Sequence, residues 1–183
     1  MDTYLFSFFQ PSRVLITSSF LFLFGVLLQG NENASIKLEI GRALGKGVTW
    51  LNNEQNASTG HWGEQEYPAL TGLALRATLG HPDATMVGRF ASNSKAGFGF
   101  LLSKVQSDGG IYGKGLASYN TSICMMALLQ TKDPKYEDTV RKARKFLINQ
   151  QADFDKKGEL DNTFDGGVGY GSRWAHSDLS NTH

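Results

Sequence analysis

The sequence predicts an all-α protein built from helical hairpins that repeat along the chain. A motif with a leading large apolar residue, a glutamine and a glycine occurs three times, and its leading residues Trp50, Leu101 and Phe146 lie 51 and 45 positions apart. That interval is typical of repeat proteins made of helical pairs. Amphipathic segments also alternate with short segments that are apolar throughout, as two packed layers of helices require.

Each copy of the motif places a glutamine after the large residue and a glycine followed by an aromatic residue after the glutamine. The copies are Lys46, Gly47, Trp50, Leu51, Gln55, Gly60 and Trp62; then Leu101, Gln106, Gly110 and Tyr112; then Phe146, Gln151, Gly169 and Tyr170. A glutamine amide can satisfy unpaired backbone groups at a helix end. Glycine permits a turn at positive φ, and the ring buries a large surface. These roles are structural, and the motif itself predicts no catalysis.

The segment before each glutamine is predicted to be an outer helix with one apolar face. The first stripe is Ile36, Ile40, Leu44, Val48 and Leu51, and the third is Tyr136, Val140, Ala143 and Leu147. Asp133 and Pro134 supply the third helix with an N-cap and a first-turn proline. In the second copy, the small and polar residues 91–97 predict a break between a short helix and a second helical piece.

The segment after each motif is predicted to be an inner helix. Residues 69–77 and 123–129 are rich in apolar helix formers, and Thr71 and Thr121 stand near their starts, where an N-cap belongs. A helix that is apolar on all sides is buried on all sides. The pattern therefore predicts inner helices covered on both faces by their neighbours.

These residues resemble the repeat of the terpenoid cyclase and protein prenyltransferase superfamily, known as the prenyltransferase/squalene oxidase or QW repeat. The resemblance covers residues 35–183 and implies that the hairpins form part of an α/α toroid. It also implies that the glutamine links the ends of outer helices beside the aromatic ring. A complete toroid of this family has more hairpins than this sequence contains. The resemblance thus predicts an incomplete repeat domain, either a fragment of a longer protein or a truncated gene product.

Residues 1–34 are predicted to form a signal peptide or membrane anchor ahead of the repeat domain. Residues 14–28 are an apolar run preceded by Arg13, and such a length suits the core of a signal peptide better than a spanning helix. We expect the protein to be exported, to the periplasm or the extracellular space. If the segment is retained, residues 14–28 give a route to membrane association.

Composition and motifs argue against several kinds of chemistry. The formal charge of +1 gives no bias toward nucleic acid. The acidic segment 153–156 ends in Lys156, where squalene–hopene cyclases carry the last aspartate of an Asp-x-Asp-Asp acid. Ser122 precedes Cys124 at the place where protein prenyltransferases have a zinc-binding aspartate. The sequence therefore predicts no catalytic residue, metal site or cofactor in this chain.

A glycine-rich segment near the carboxyl terminus is the candidate ligand site. Loops that follow outer helices gather at one end of a toroid, and binding residues are concentrated in such loops. The candidate ligand-binding residues are Tyr170, Arg173, Trp174, His176 and Asp178.

Three functions remain open at this stage. The leading one is an exported, noncatalytic repeat scaffold that binds an apolar small molecule or a protein partner. The second is an isoprenoid cyclase or transferase whose catalytic residues lie in missing C-terminal repeats. The third is a toroidal enzyme that acts on polysaccharides. An apolar, aromatic-lined cavity favours the second function, whereas a polar groove with paired carboxylates favours the third.

Overall fold

The computed structural model describes the backbone of residues 12–152, 166–171 and 177–179, and within those ranges the side chains from residue 33 onward. The helices are α1 (Ser12–Asn53), α2 (Pro68–Leu79), α3 (Ala84–Arg89), α4 (Ala91–Ser103), α5 (Ala117–Gln130), a 3-10 turn (Pro134–Tyr136) and α6 (Glu137–Ile148). The described residues contain two isolated bridges, Val105 with Ile111 and Gln151 with Val168, and no strand. The predicted all-α class is confirmed.

The chain divides into two compact units, Met1–Leu44 and Gly45–His183. The first contains most of α1, and its predicted stripe residues Ile36, Ile40 and Leu44 are exposed. The prediction that the whole stripe is buried is therefore wrong for these three side chains, whereas Val48, in the second unit, is buried. Among the described residues, no helix combines the length and apolarity needed to cross a membrane.

The second unit has the predicted inner and outer layers. Helix α2 packs against α5 and α4, and α5 packs against α6. Gly72 makes the first contact close, because a Cβ on it would lie 3.1 Å from the Ile123 side chain. The buried cluster between these helices is Trp62, Ala74, Leu75, Phe98, Phe100, Leu101, Ile111, Cys124, Ala127, Leu128, Tyr136 and Ala143.

The second outer helix breaks earlier than predicted. Its short first piece, α3, ends at Arg89, and the break falls at the buried Phe90, so residues 91–97 are helical and not a loop. These residues are small because α4 packs closely against Trp62 and Leu75. A Cβ on Gly97 would lie 2.9 Å from the Trp62 ring and 3.0 Å from Leu75. Small residues here let α4 approach the core closely, and the sequence rule for loops misreads them.

The prediction that Thr71 and Thr121 are the N-caps of the inner helices is wrong. Helices α2 and α5 begin at Pro68 and Ala117, several residues earlier, with no side-chain cap at either start. Instead, the buried hydroxyls of Thr71 and Thr121 accept hydrogen bonds from loop amides. The third outer helix does follow prediction, because the Asp133 carboxylate accepts from the Lys135 amide immediately before the proline-led turn.

A candidate binding groove on the first hairpin

The hairpin loops share a hydrogen-bonded turn that fixes how the repeats correspond. Each turn contains a glycine at positive φ: Gly60 at 77°, Gly109 at 90° and Gly166 at 80°. Their amides donate to Asn56, Gln106 and Ala152 respectively, and the amides of those three residues donate in return to the residue after each glycine. Gly60, Gly109 and Gly166 are therefore equivalent.

This correspondence corrects the predicted alignment of the second and third motifs. Gly109 and Gly166 take the place assigned to Gly110 and Gly169, which do not have positive φ. Positive φ is required because the Cβ of any other residue resists that conformation. Pairs of consecutive glycines, Gly109-Gly110 and Gly166-Gly167, leave the choice ambiguous in the sequence.

The predicted role of the glutamine is confirmed for the first repeat. Gln55 Nε2 donates to the carbonyl oxygens of Gly60 at 2.8 Å and Asn93 at 2.9 Å, and Asn93 Nδ2 donates back to Gln55 Oε1. One side chain thus links the end of α1, its own loop and the next outer helix. In the third repeat, Gln151 Nε2 makes the matching bond to Gly166 at 3.0 Å.

The second repeat departs from this pattern at the glutamine and at the ring. Its turn is one residue shorter, so Val105 occupies the position of Gln55, while Gln106 bonds the carbonyls of Lys104 and Tyr112 instead. Likewise, Ile111 and not Tyr112 is the equivalent of Trp62. The amides of Trp62 and Ile111 donate to Thr71 and Thr121 at 3.0 and 2.9 Å.

The same correspondence aligns three aromatic residues near the ends of the outer helices, Trp50, Phe100 and Phe146, so the prediction of Leu101 as the counterpart of Trp50 is wrong by one residue. Phe100 is 5% exposed and lies against His61 of the first loop, with ring centroids 5.2 Å apart. Phe146 is also 5% exposed and lies against Tyr112 of the second loop at 5.7 Å. A ring from the preceding loop thus covers each of them. Trp50, by contrast, is 63% exposed.

The inner helices show the same contrast. Thr71 aligns with Thr121, which pairs Leu70, Leu73 and Ala77 of α2 with Asn120, Ile123 and Ala127 of α5. Asn120 and Ala127 are fully buried, and Asn120 Oδ1 accepts from the Ala69 amide of α2 at 3.0 Å. Leu70 and Leu73, however, are 41% and 42% exposed. The expectation that inner helices are buried on all sides is therefore wrong for this side of α2.

We call the surface of a hairpin that contacts the preceding hairpin its rear face, and the opposite surface its front face. The rear face of the first hairpin forms an open groove of about 690 Å³. It is lined by Trp50, Leu51, Glu54, Trp62, Gly63, Leu70, Leu73, Ala74 and Ala77. Trp62 Nε1 donates to the Leu51 carbonyl at 2.6 Å, so its polar atom is already bonded within the protein. The groove therefore presents mainly apolar surface, and among the described residues that line it the exposed Glu54 alone is charged.

Of the candidate ligand residues predicted in the third loop, Tyr170 and Asp178 are described by the structure, and neither lines this groove. Tyr170 packs near Tyr119 with ring centroids 6.5 Å apart, and its carbonyl accepts from the Ser118 amide at 3.1 Å. The Asp178 amide donates to Val168, which places Asp178 in the same loop. Arg173, Trp174 and His176 lie outside the described residues. Tyr170 thus joins the third loop to the start of α5, whereas Asp178 is bonded within the loop, and the predicted ligand role of both stays a prediction.

Two titratable side chains of the described residues have strongly raised pKa values, Cys124 and Tyr112. Burial alone raises the pKa of the Cys124 thiol far above its usual value, which keeps it protonated. A hydrogen bond from Tyr112 to Asp108 at 2.6 Å, together with partial burial, raises the pKa of Tyr112 to about 12. Within the described ranges, no group of three His, Cys, Asp or Glu side chains is placed to hold a metal ion. The acidic segment 153–156 lies outside those ranges.

Comparison of the chain with protein-family models, with curated proteins and with solved structures finds no match in any of the three. The resemblance to the QW repeat therefore continues to rest on the motif residues themselves.

Proposed function

We propose that this protein is an exported, noncatalytic repeat scaffold of the squalene cyclase and prenyltransferase type that binds a protein partner through the groove on its first hairpin. The observation that carries the proposal is the exposure of Trp50, Leu70 and Leu73 at positions whose equivalents in the next hairpin are covered. Contiguous exposed apolar surface on a folded domain is characteristic of binding sites. Exposed tryptophan is also among the residues that most often dominate binding energy.

The chemistry of the groove supports binding more than turnover. Acid-initiated cyclisation needs a carboxyl group held protonated in a dry site. Glu54, the groove's carboxylate, is exposed to solvent. Hydrolysis of polysaccharides needs two facing carboxylates, and the groove lining includes just this one. The polysaccharide-active alternative gains no support from this surface.

An isoprenoid ligand is the second candidate, favoured by the composition of the groove. Two indoles and three leucines line a space of about 690 Å³, which suits an apolar molecule of drug size. Under this alternative the chain is part of a cyclase or transferase and carries a portion of the hydrocarbon site.

A crosslinking experiment distinguishes the two candidates. A photo-crosslinking residue is placed at Leu73 in the groove or, as a matched control, at Ile148, which is 53% exposed and does not line it. In the cells that normally make the protein, we expect an adduct of protein mass from position 73 and none from position 148. Equal adducts at both positions, or none at either, contradict the scaffold proposal.

The isoprenoid alternative is tested on the purified full chain. Squalene is added while tryptophan emission is followed in a Trp174→Phe background, where the two remaining indoles, Trp50 and Trp62, both line the groove. A saturable blue shift that Leu73→Asp removes supports a hydrocarbon ligand. Conversion of squalene to a product overturns the noncatalytic assignment.

Export is part of the same proposal and rests on the apolar run at residues 14–28. We expect a mature amino terminus near residue 34, or an intact chain recovered with membranes if the segment is an anchor. Amino-terminal sequencing and intact mass of the protein from its own cells measure this. An intact chain recovered from the cytosol contradicts export.

A further inference from the structure

We infer that the groove on the first hairpin is the docking face for one more helical hairpin of the same repeat type, bound through the front face of that hairpin. This rests on the proposed scaffold function and names the kind of partner. The partner is identified by continuity with an interface that the chain already forms between successive hairpins.

The outer part of that interface occurs twice within the chain. The first loop places His61 on Phe100, and the second loop places Tyr112 on Phe146. Both covering rings come from the loop of the preceding hairpin. Trp50 is the third member of this aligned series and lacks such a cover, as its 63% exposure shows. The expected partner loop therefore places a ring over Trp50.

The inner part of the interface depends on a small residue of the preceding helix. A Cβ on Gly72 would lie within 3.1–3.4 Å of Ile123 and Cys124, so α2 meets α5 at almost backbone distance there. Leu73 holds the position of Ile123 on the rear face of α2. A docking inner helix consequently needs glycine or another small residue opposite Leu73. Ser122, which aligns with Gly72 on α5, shows that this repeat keeps the position small.

One difference between the rear faces of α2 and α5 further restricts which kind of hairpin can dock. The amide of Ala69, in the first turn of α2, is satisfied by Asn120 of the following hairpin. At the position of Asn120 the first hairpin has Leu70, which offers no acceptor. An unbonded amide buried against Leu70 would be unfavourable, because it would lose its hydrogen bond to water and gain none from the protein. At this point the docking hairpin therefore receives no hydrogen bond from the rear face of α2.

The repeat length allows a direct test in the full chain. Asp83 and Asp133 cap successive outer helices and lie 50 residues apart, so one repeat unit is residues 83–132. A second copy of this unit is inserted ahead of Asn33, which stands one further repeat length upstream of Asp83, in a chain produced without export so that cleavage near residue 34 does not remove the insert. We expect Tyr112 of the inserted copy to cover Trp50, as Tyr112 of the original unit covers Phe146.

The readout is the environment of Trp50 in the Trp174→Phe background. We expect a blue shift of its emission, protection from acrylamide to the level of a buried indole, and a higher midpoint of urea unfolding, because each repeat is stabilised by its neighbour. The matched control carries Ser122→Arg in the inserted copy alone. This places a bulky charge at the small position of the docking face, and Trp50 should then stay exposed.

The outcomes separate this inference from the function it rests on. An inserted unit that adds its share of helix by circular dichroism yet leaves Trp50 exposed overturns the inference. If position 73 nevertheless crosslinks to a protein in cells, the scaffold function stands with a different kind of partner. Protection of Trp50 by both the plain and the Ser122→Arg insertions also overturns the inference, because the cover would then not depend on the repeat interface.

Discussion

The rear faces of the first and second hairpins carry corresponding residues that differ in their exposure to solvent. Phe100 and Ala127 of the second hairpin are buried under the first, whereas their equivalents Trp50 and Ala77 are exposed. The side chains remain apolar in both cases. In a repeat protein, each hairpin contacts its sequence neighbours, so burial depends on whether a neighbour precedes it. The comparison shows that corresponding apolar residues are buried in one hairpin and exposed in the other.

The largest expected effect contrasts the two outer-helix aromatics. Phe100→Ala should lower the free energy of unfolding by about 3–5 kcal/mol, because it removes a buried ring from the core. Trp50→Ala should change it by about 0.5 kcal/mol or less, as for other exposed positions. Urea unfolding followed by circular dichroism measures both. Similar losses for the two variants would show that Trp50 is covered in solution.

The loop glycines give a second, intermediate contrast. Gly109 and Gly115 both have φ of 90°, so replacement of either by alanine should cost about 1–2 kcal/mol in backbone strain. A Cβ on Gly109 would also lie 2.8 Å from the Lys142 carbonyl of the next outer helix, whereas one on Gly115 has nothing within 4 Å. Gly109→Ala should therefore lose about 1–3 kcal/mol more.

The difference in unfolding free energy between these two alanine variants, measured in urea, is the cost of the close contact between the Gly109 loop and α6. Backbone strain cancels in this difference, because both glycines have the same φ. Equal losses at Gly109 and Gly115 would mean that the loop moves away from α6 without penalty. In that case the contact between successive repeats is looser than the structure has it.

The sequence was sufficient for the features that depend on local chemistry. The all-α class and the Asp133 cap follow from residue type and spacing, and the link made by Gln55 follows from the resemblance to the QW repeat. It misplaced features that depend on contact partners. Residues 91–97 are small because α4 packs on Trp62, and Thr71 is polar because the Trp62 amide needs an acceptor. The groove was missed for the same reason, since its residues have the composition of a core.

The smallest expected effect concerns the ring that covers Phe146. The hydrogen bond to Asp108 raises the folded-state pKa of Tyr112 from 10.0 to about 12. Its contribution to stability is complete below pH 10, where the phenol is protonated in both states, and is lost as pH rises through about 12. The contribution is small because the pair is largely exposed to solvent.

In Asp108→Asn, tyrosinate absorbance should therefore appear at lower pH. The control Asp138→Asn, at an exposed acid paired with Arg141 and Lys142, should leave the tyrosine titration unchanged. An unshifted titration in Asp108→Asn would mean that packing on Phe146 alone positions Tyr112, in which case any ring placed over Trp50 would need no acidic partner.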